Sequence, residues 1–491
     1  MKRYGARPIL LTALRQPAPR AGVGMKVRFL ALPVLIVAFV ASAPSATAAP
    51  PLRLGFLDDV QTGTAETSAP WLQRAVASSA DVARISNSWG TVAPTRPSDP
   101  TNPADPAYNW GGLDQAVRGV AAAGLDPFVA LTGAPAWAEG PNRPSTAEPG
   151  SWRPNATAFA AFAEALGRRY DGTYPDPERV GALLPRVRSF APWNEPNLAI
   201  YLAPQWARRS GRFVNSGPAI YRDLLNGFYH GIKASQPAAT VVAGLTAPFG
   251  DPDPGGRRTM PARFVRTLLC LDIKLRTTCR NTARFDAIAH HPYSVGSPTR
   301  KTLNRDDVSI ADLARITRPV AAAVRRGRAL PRRAKPLWIT EISYDSSPPD
   351  PNGLPVALQA RYLQQAFASL YRQGARVITW FQIRDQAPVP SFAATNQSGV
   401  YFRDGRPKPS QKAFAFPLVV TSTTATRARL FLRAPAAGTV QIERLVDGRW
   451  EPAGSIGAGR HAVVQRSVAR GGATAFRARQ GGATSLSWRL G

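Results

Sequence analysis

Between residues 52 and 386 the chain repeats one pattern: a short apolar run bounded by polar residues, Gly or Pro, then a longer stretch with helical periodicity. The runs at 52–57, 82–86, 127–131, 187–191, 240–244, 285–289, 337–340 and 377–381 are mostly Val, Ile, Leu and Phe, as in buried strands. The stretches 113–123, 156–169, 220–234, 310–325 and 356–371 lie between them and read as amphipathic helices. Gly124, Gly327 and Gly374 follow closely on three of these, which is where a helix stops. Strands that alternate with helices run parallel, and eight such units suit a closed (β/α)8 barrel. A doubly wound open sheet is the alternative, but no Gly-rich phosphate loop follows the first run. An apolar content of 44% is enough for a full core. The expected fold is therefore an α/β TIM barrel over residues 49–417.

After Pro417 the pattern changes. Residues 418–491 show no helical periodicity; apolar residues alternate with Arg, Thr and Gln at 428–432, 439–444 and 461–466. Asp447-Gly448, the stretch 457–459 and Gly471-Gly472 supply turns. This segment reads as a small all-β sandwich.

In a barrel of parallel strands, the side chains at the strand ends point into one shared crevice. Two strings place a glutamate there. Trp193-Asn194-Glu195-Pro196-Asn197 follows the fourth run, and Trp338-Ile339-Thr340-Glu341 ends the seventh. Glu195 and Glu341 then face each other across the mouth. Cleavage of a glycosidic bond needs such a pair, one carboxyl to protonate the leaving oxygen and one to attack or shield the anomeric carbon. A lone strand-end glutamate is more often a cap or an ion-pair partner, so the weight rests on the two together.

These strings resemble the clan A retaining (β/α)8 glycoside hydrolases. Their Asn-Glu-Pro motif after the fourth strand carries the acid/base, and a Thr-Glu after the seventh carries the nucleophile. The resemblance implies that Glu195 is the acid/base and Glu341 the nucleophile. It extends to Arg84 and Trp89 at the end of the second run, Tyr108-Asn109-Trp110-Gly111-Gly112-Leu113-Asp114, and Ala134-Pro135-Ala136-Trp137. Ala289-His290-His291-Pro292-Tyr293 is similar to the sixth-strand His-x-Tyr, and Thr379-Trp380-Phe381 supplies the eighth-strand Trp. Ser398-Gly399-Val400 and Asp404-Gly405-Arg406-Pro407-Lys408-Pro409 resemble the segment that closes these barrels. The string from Trp193 to Leu198, with Tyr221 and a helix ending near Lys233, is most similar to glycoside hydrolase family 39, which includes β-xylosidases and α-iduronidases. The likeness covers roughly residues 52–416; Ile342-Ser343-Tyr344-Asp345-Ser346-Ser347-Pro348-Pro349 departs from it.

Each implied role has a physical reason. Asn194 can hydrogen-bond a sugar 2-hydroxyl, a bond that strengthens in the transition state. Arg84 beside Glu341 would keep that carboxylate ionised, and Tyr293 would donate to it. Trp89, Trp137 and Trp380 would face sugar, with Trp380 as a flat platform; ordinary core packing is the alternative for each. Glu195 must hold a proton near neutral pH, which requires a raised pKa. His291 shares its strand parity with the site, whereas His290 has the opposite parity and reads as structural. Asp58, Asp59, Glu139, Asp345 and Asp385 also fall at strand ends and read as loop or hydroxyl contacts.

No cofactor and no metal is expected: there are four histidines, and no His-Glu-x-x-His. No Gly-x-Ser-x-Gly follows a strand, against a serine hydrolase. Residues 1–48 read as a signal region. Met25-Lys26-Val27-Arg28 is basic, 29–40 is apolar, and Ala46-Thr47-Ala48 suits cleavage, so Met25 stands as an alternative start. No later run approaches the ~20 apolar residues of a membrane span, and a secreted, extracellular protein is expected. In that setting Cys270 and Cys279 suggest a local disulfide. The formal charge of +31 falls to +24 without the seven basic residues of 1–48. Scattered Arg beside abundant Ala, Pro and Gly fits a GC-rich codon bias; affinity for an anionic glycan or cell-wall surface is the alternative, and nucleic acid is the less favoured partner. The expected partner is a carbohydrate substrate, and a non-catalytic carbohydrate-binding barrel is the rival reading.

Overall fold

The computed structural model describes residues 51–490, so the signal region expected at 1–48 lies outside the described residues. Eight strands are β1 (Arg53–Leu57), β2 (Val82–Ser88), β3 (Asp126–Thr132), β4 (Ser189–Pro192), β5 (Thr240–Thr246), β6 (Ala287–His290), β7 (Leu337–Ile339) and β8 (Ala375–Phe381). They close into one parallel barrel in sequence order, with β8 paired back onto β1. Around them lie α1 (Ala65–Ala77), α2 (Gly111–Ala122), α3 (Ala156–Arg169), α4 (Gly217–Ser235), α5 (Pro261–Leu268), α6 (Ala314–Arg325) and α7 (Val356–Arg372). This is the expected TIM barrel. No helix among the described residues is long and apolar enough to cross a membrane.

Strand parity sorts the side chains. Val82, Phe128, Ala130, Ala191, Val242, Ala287, Ala289, Trp338 and Val377 form one buried cluster that fills the barrel interior. The residues of opposite parity, among them Phe56, Ile85, Val129, Phe190, Ile288, Ile339 and Trp380, belong to the larger core shared with the helices. Glycine is required where β1 meets β2, since a Cβ at Gly55 would stand 2.0 Å from the Val82 carbonyl oxygen. Continuing the inward parity upward leads from Val82 to Arg84, from Ala289 to His291 and from Val377 through Thr379 to Phe381. These residues form the upper layer of the barrel.

After the barrel come two antiparallel sheets. One holds β9 (Leu418–Thr423), β10 (Arg427–Arg433) and β13 (Val463–Ala469); the other holds β11 (Gly438–Val446), β12 (Arg449–Ala458) and β14 (Ala475–Gln480) with two short edge pairings. The sheets attach to the barrel through specific contacts. Phe431 packs on Tyr371 with ring centroids 5.7 Å apart, and the Gln364 side chain accepts from the Leu418 N–H at 3.0 Å. Buried Arg433 donates to the Leu52 and Ser79 carbonyls at 3.0 Å each and to the carboxylate of Asp81. Cys270 and Cys279 form a disulfide just after α5.

Candidate active site

The chain leaves β4 along a strained path. Trp193 and Glu195 have φ values of +72° and +40°, in the left-handed region that costs a non-glycine residue about 1–3 kcal/mol. Three contacts hold that path. The Tyr221 hydroxyl, on α4, donates to the Pro192 carbonyl at 3.1 Å and accepts from the Gly244 N–H at 2.9 Å, tying the end of β4 to β5. The Trp193 indole turns away from the barrel axis and donates to the Tyr201 carbonyl at 2.7 Å. Buried Asn197 donates to the Ala247 and Thr259 carbonyls and accepts from the Ala247 N–H. Between these anchors, Asn194 and Glu195 project over the barrel end.

There the two glutamates meet. An oxygen of Glu195, an oxygen of Glu341 and a ring nitrogen of His291 all lie within 4.8 Å of one another. Arg84 Nη1 donates to Glu341 Oε2 at 3.1 Å and to the Thr340 carbonyl at 2.8 Å, while Nη2 donates to Asn194 Oδ1 at 2.7 Å. The Tyr293 hydroxyl donates to Glu341 Oε1 at 2.8 Å. Both oxygens of Glu341 are therefore held. Asn194, its oxygen occupied by Arg84, has its amide hydrogens left for Tyr201 and for a bound hydroxyl.

His291 sets the geometry of Glu195. Burial pushes the imidazole down to about 3, against the pull of Glu341, so the ring is neutral near pH 7. Its Nε2 faces Arg84 Nη1 at 3.3 Å and Thr340 Oγ1 at 3.1 Å. A guanidinium has no lone pair to offer, so Nε2 accepts and Nδ1 carries the proton. Nδ1 then donates to Glu195 Oε1 at 2.9 Å. Burial raises Glu195 to about 7, with Arg84 pulling the other way. Its carboxyl proton belongs on Oε2, the oxygen that His291 leaves open. A cation at this cluster would have to share Glu341 and His291 with the fixed positive charge of Arg84, so the trio suits an ion poorly.

Of the residues expected at the site, Glu195, Glu341, Arg84, Asn194, His291 and Tyr293 come together. The tryptophans do not. Trp89 has no exposed surface; it stacks on Phe162 and packs against Phe159 beneath the short helix Trp89–Val92. Trp380 is equally buried, directed outward toward Phe367 on α7, and its N–H donates to the Ser398 carbonyl at 2.8 Å. Parity explains the error. Thr379 points inward, bonded to the Thr340 carbonyl, so Trp380 points outward and the next residue, half-buried Phe381, takes the inward place. Trp137 is half-buried, edge-on to Trp89, with its N–H on the Ala93 carbonyl and Arg96 over its ring. His290 points away from the site, bonded to Thr246 and the Val308 carbonyl. The strand-end acids are spoken for as well: Asp58 accepts from the Val60, Ile383 and Arg384 N–H groups, and Asp385 pairs with buried Lys408 at 2.6 Å.

Tyr201 was not anticipated. It lies half-buried near both carboxylates, which together with burial push its phenol up, and within hydrogen-bonding reach of Asn194. It sits in an irregular loop, where neither period marks it. Thr340 and Phe381 were within quoted strings, and strand parity alone would have singled them out.

The fold is a closed (β/α)8 barrel, and glycoside hydrolases are among the solved structures that share it. In particular, the chain is similar to a family 39 glycoside hydrolase from the gut symbiont Bacteroides cellulosilyticus WH2, with a TM-score of 0.53 and 17% identity over 86% of this chain and 81% of that one. It is also similar to a glycoside hydrolase family 39 enzyme from Xanthomonas axonopodis pv. citri, at TM-score 0.47 and 16% identity over 86% of this chain and 93% of that one. A glucosidase from Croceicoccus marinus gives TM-score 0.48 and 13% identity over 86% and 94% respectively. At these identities the likeness is one of fold. No protein-family model and no curated protein sequence matches the chain.

Proposed function

We propose that the protein is an exported retaining O-glycosidase that cleaves a polysaccharide or oligosaccharide by double displacement. The observation that carries this reading is the separation of the carboxyl groups. One oxygen of Glu195 lies within 4.8 Å of one oxygen of Glu341, and so close a pair supports direct attack by one carboxylate (about 5–5.5 Å between the groups) over the wider spacing of an inverting enzyme (about 6.5–9.5 Å). Glu341, with Arg84 and Tyr293 on its two oxygens, is aimed as the nucleophile. Glu195 protonates the leaving oxygen from Oε2 as the glycosyl–Glu341 bond forms, then takes a proton from water as water breaks that bond. Asn194 donates to the sugar 2-hydroxyl, and half-buried Phe381, inward at the end of β8, offers an apolar ring to the sugar. Support for export comes from the basic and apolar pattern of residues 1–48 and from the Cys270–Cys279 disulfide.

The test is hydrolysis of a panel of aryl glycosides, with the first-formed anomer followed by proton NMR. Turnover with retained configuration is expected. Turnover with inversion overturns the double displacement. Glycan binding with no turnover on any sugar would make the barrel a binding protein instead.

A further inference from the structure

The arginines of this chain are mostly spoken for where they are buried. Arg169 pairs with Asp114, Arg118 with Asp176 and Arg433 with Asp81. At the opposite end of the barrel from the glutamates, exposed and half-buried arginines gather instead. Helix α7 ends at Arg372, β8 begins at Ala375, and the outer face of the three-stranded sheet packs beside them through Phe431 and Tyr371. On that face β10 places Arg429 two residues before Phe431, opposite Ser467, while β13 places Gln465 opposite Phe431. A register shift in β9 between Val420 and Ser422 leaves Thr421 and Ser422 at the edge of the same face.

The result is a groove of about 480 Å3 lined by Arg372, Arg376, Arg429, Thr421, Ser422 and Gln465 over Tyr371. At Arg376 it meets a second groove of about 630 Å3, which runs along α6 and the start of β7 and adds Arg325 and Lys335. Among the described residues no carboxylate lines either groove. Among the described residues none of Arg325, Arg372, Arg376 and Arg429 pairs with an acid; Arg376 rests on its neighbour's carbonyl and over the Tyr371 ring. Like charges gathered in a concave surface raise the local positive potential and attract an anion, and guanidinium groups are suited to carboxylate and sulfate forks. Hydroxyl and amide side chains between the arginines match the hydroxyls of a sugar. The groove offers no exposed aromatic ring on which a base would stack.

We infer that this track across the base of the barrel binds an anionic polysaccharide, its arginines holding carboxylate or sulfate groups and its Thr, Ser and Gln side chains the hydroxyls between them. The chain would thereby be held on an acidic glycan while the mouth at the other end stays open. The choice of a glycan over other polyanions rests on the glycosidase reading.

Affinity electrophoresis of the full chain in polygalacturonate, dextran sulfate, neutral dextran and duplex DNA tests it. Retardation is expected in at least one anionic glycan and not in neutral dextran; which of the two is stronger tells carboxylate from sulfate. The combined variant Arg372→Gln, Arg376→Gln, Arg429→Gln should weaken it more than about tenfold, with aryl glycoside turnover unchanged. The variant Arg208→Gln, Arg209→Gln, Arg212→Gln removes equal charge from an exposed hairpin at the mouth and should leave binding as it was. Equal losses in both variants, or no loss in the first, overturn the inference. So does tighter retention by DNA through the same three arginines. Should no aryl glycoside be turned over while the first variant still loses glycan binding, the glycosidase reading fails and the groove stands.

Discussion

In the proposed mechanism Glu195 can act as the acid only while it holds its proton. Burial lifts it to about 7, above the usual carboxylate range, so it is protonated below that pH and loses the proton as pH rises through it. The account therefore predicts that kcat/KM on substrates with poor leaving groups falls on the alkaline side with a midpoint near 7. Because the neutral His291 donates to Glu195 and favours its ionised form, His291→Phe should move that midpoint upward and lower kcat. An unmoved alkaline limb would show that His291 does not govern Glu195. The parity of β8 makes a second prediction at this scale. Trp380→Ala should cost about 3–5 kcal/mol of stability, as for a large core aromatic, whereas Phe381→Ala should leave the unfolding midpoint nearly unchanged and raise KM. Denaturant titration beside steady-state kinetics separates the two. The facing pair of carboxyls was legible because glutamates at the ends of two apolar runs are chemically specific. The tryptophans misled because sugar-facing and core aromatics look identical until strand parity is counted.

At the scale of elements, the barrel was legible because strand and helix periods differ, and a length of buried Val, Ile and Leu marks each strand. Helix α3 begins and ends where the pattern places it, at Ala156 and Arg169. The failures are those of composition. Helix α1, with Thr, Ser and Pro70 among its residues, and the eight-residue helix α5 carry too few apolar turns to stand out from loop sequence. The hairpin Trp206–Arg209 with Arg212–Asn215 is similarly hidden, since exposed arginines at 208, 209 and 212 break its apolar pattern. What no periodicity reveals is how an element supports a site. Tyr221 on α4 joins the end of β4 to β5 through one hydroxyl. Tyr221→Phe leaves a buried carbonyl and a buried N–H without that partner, a cost of about 1–3 kcal/mol. The strained turn at Glu195 should loosen with it, so kcat should fall more than KM rises. Chemical denaturation and kinetics on the same variant check both halves.

Over the whole molecule, the two sheets that follow the barrel are joined to it by buried polar contacts as well as by packing. Arg433 is buried, and its three acceptors are all on the barrel: Leu52, Ser79 and Asp81. Arg433→Met removes the cation and leaves mostly buried Asp81 with His461 as its remaining side-chain partner. Breaking a buried pair on one side costs about 3–5 kcal/mol, so the unfolding midpoint should drop clearly; a change within error would show that the sheets hold the barrel by packing alone. The mouth itself carries the central claim that Glu341 attacks while Glu195 gives the proton. It is tested most directly by trapping the covalent intermediate with a 2-deoxy-2-fluoro glycoside of the sugar that the aryl panel identifies, then mapping the modified peptide by mass spectrometry. The account predicts a single glycosyl label on Glu341; a label on Glu195, or an active enzyme that forms no adduct and releases the inverted anomer, would contradict it.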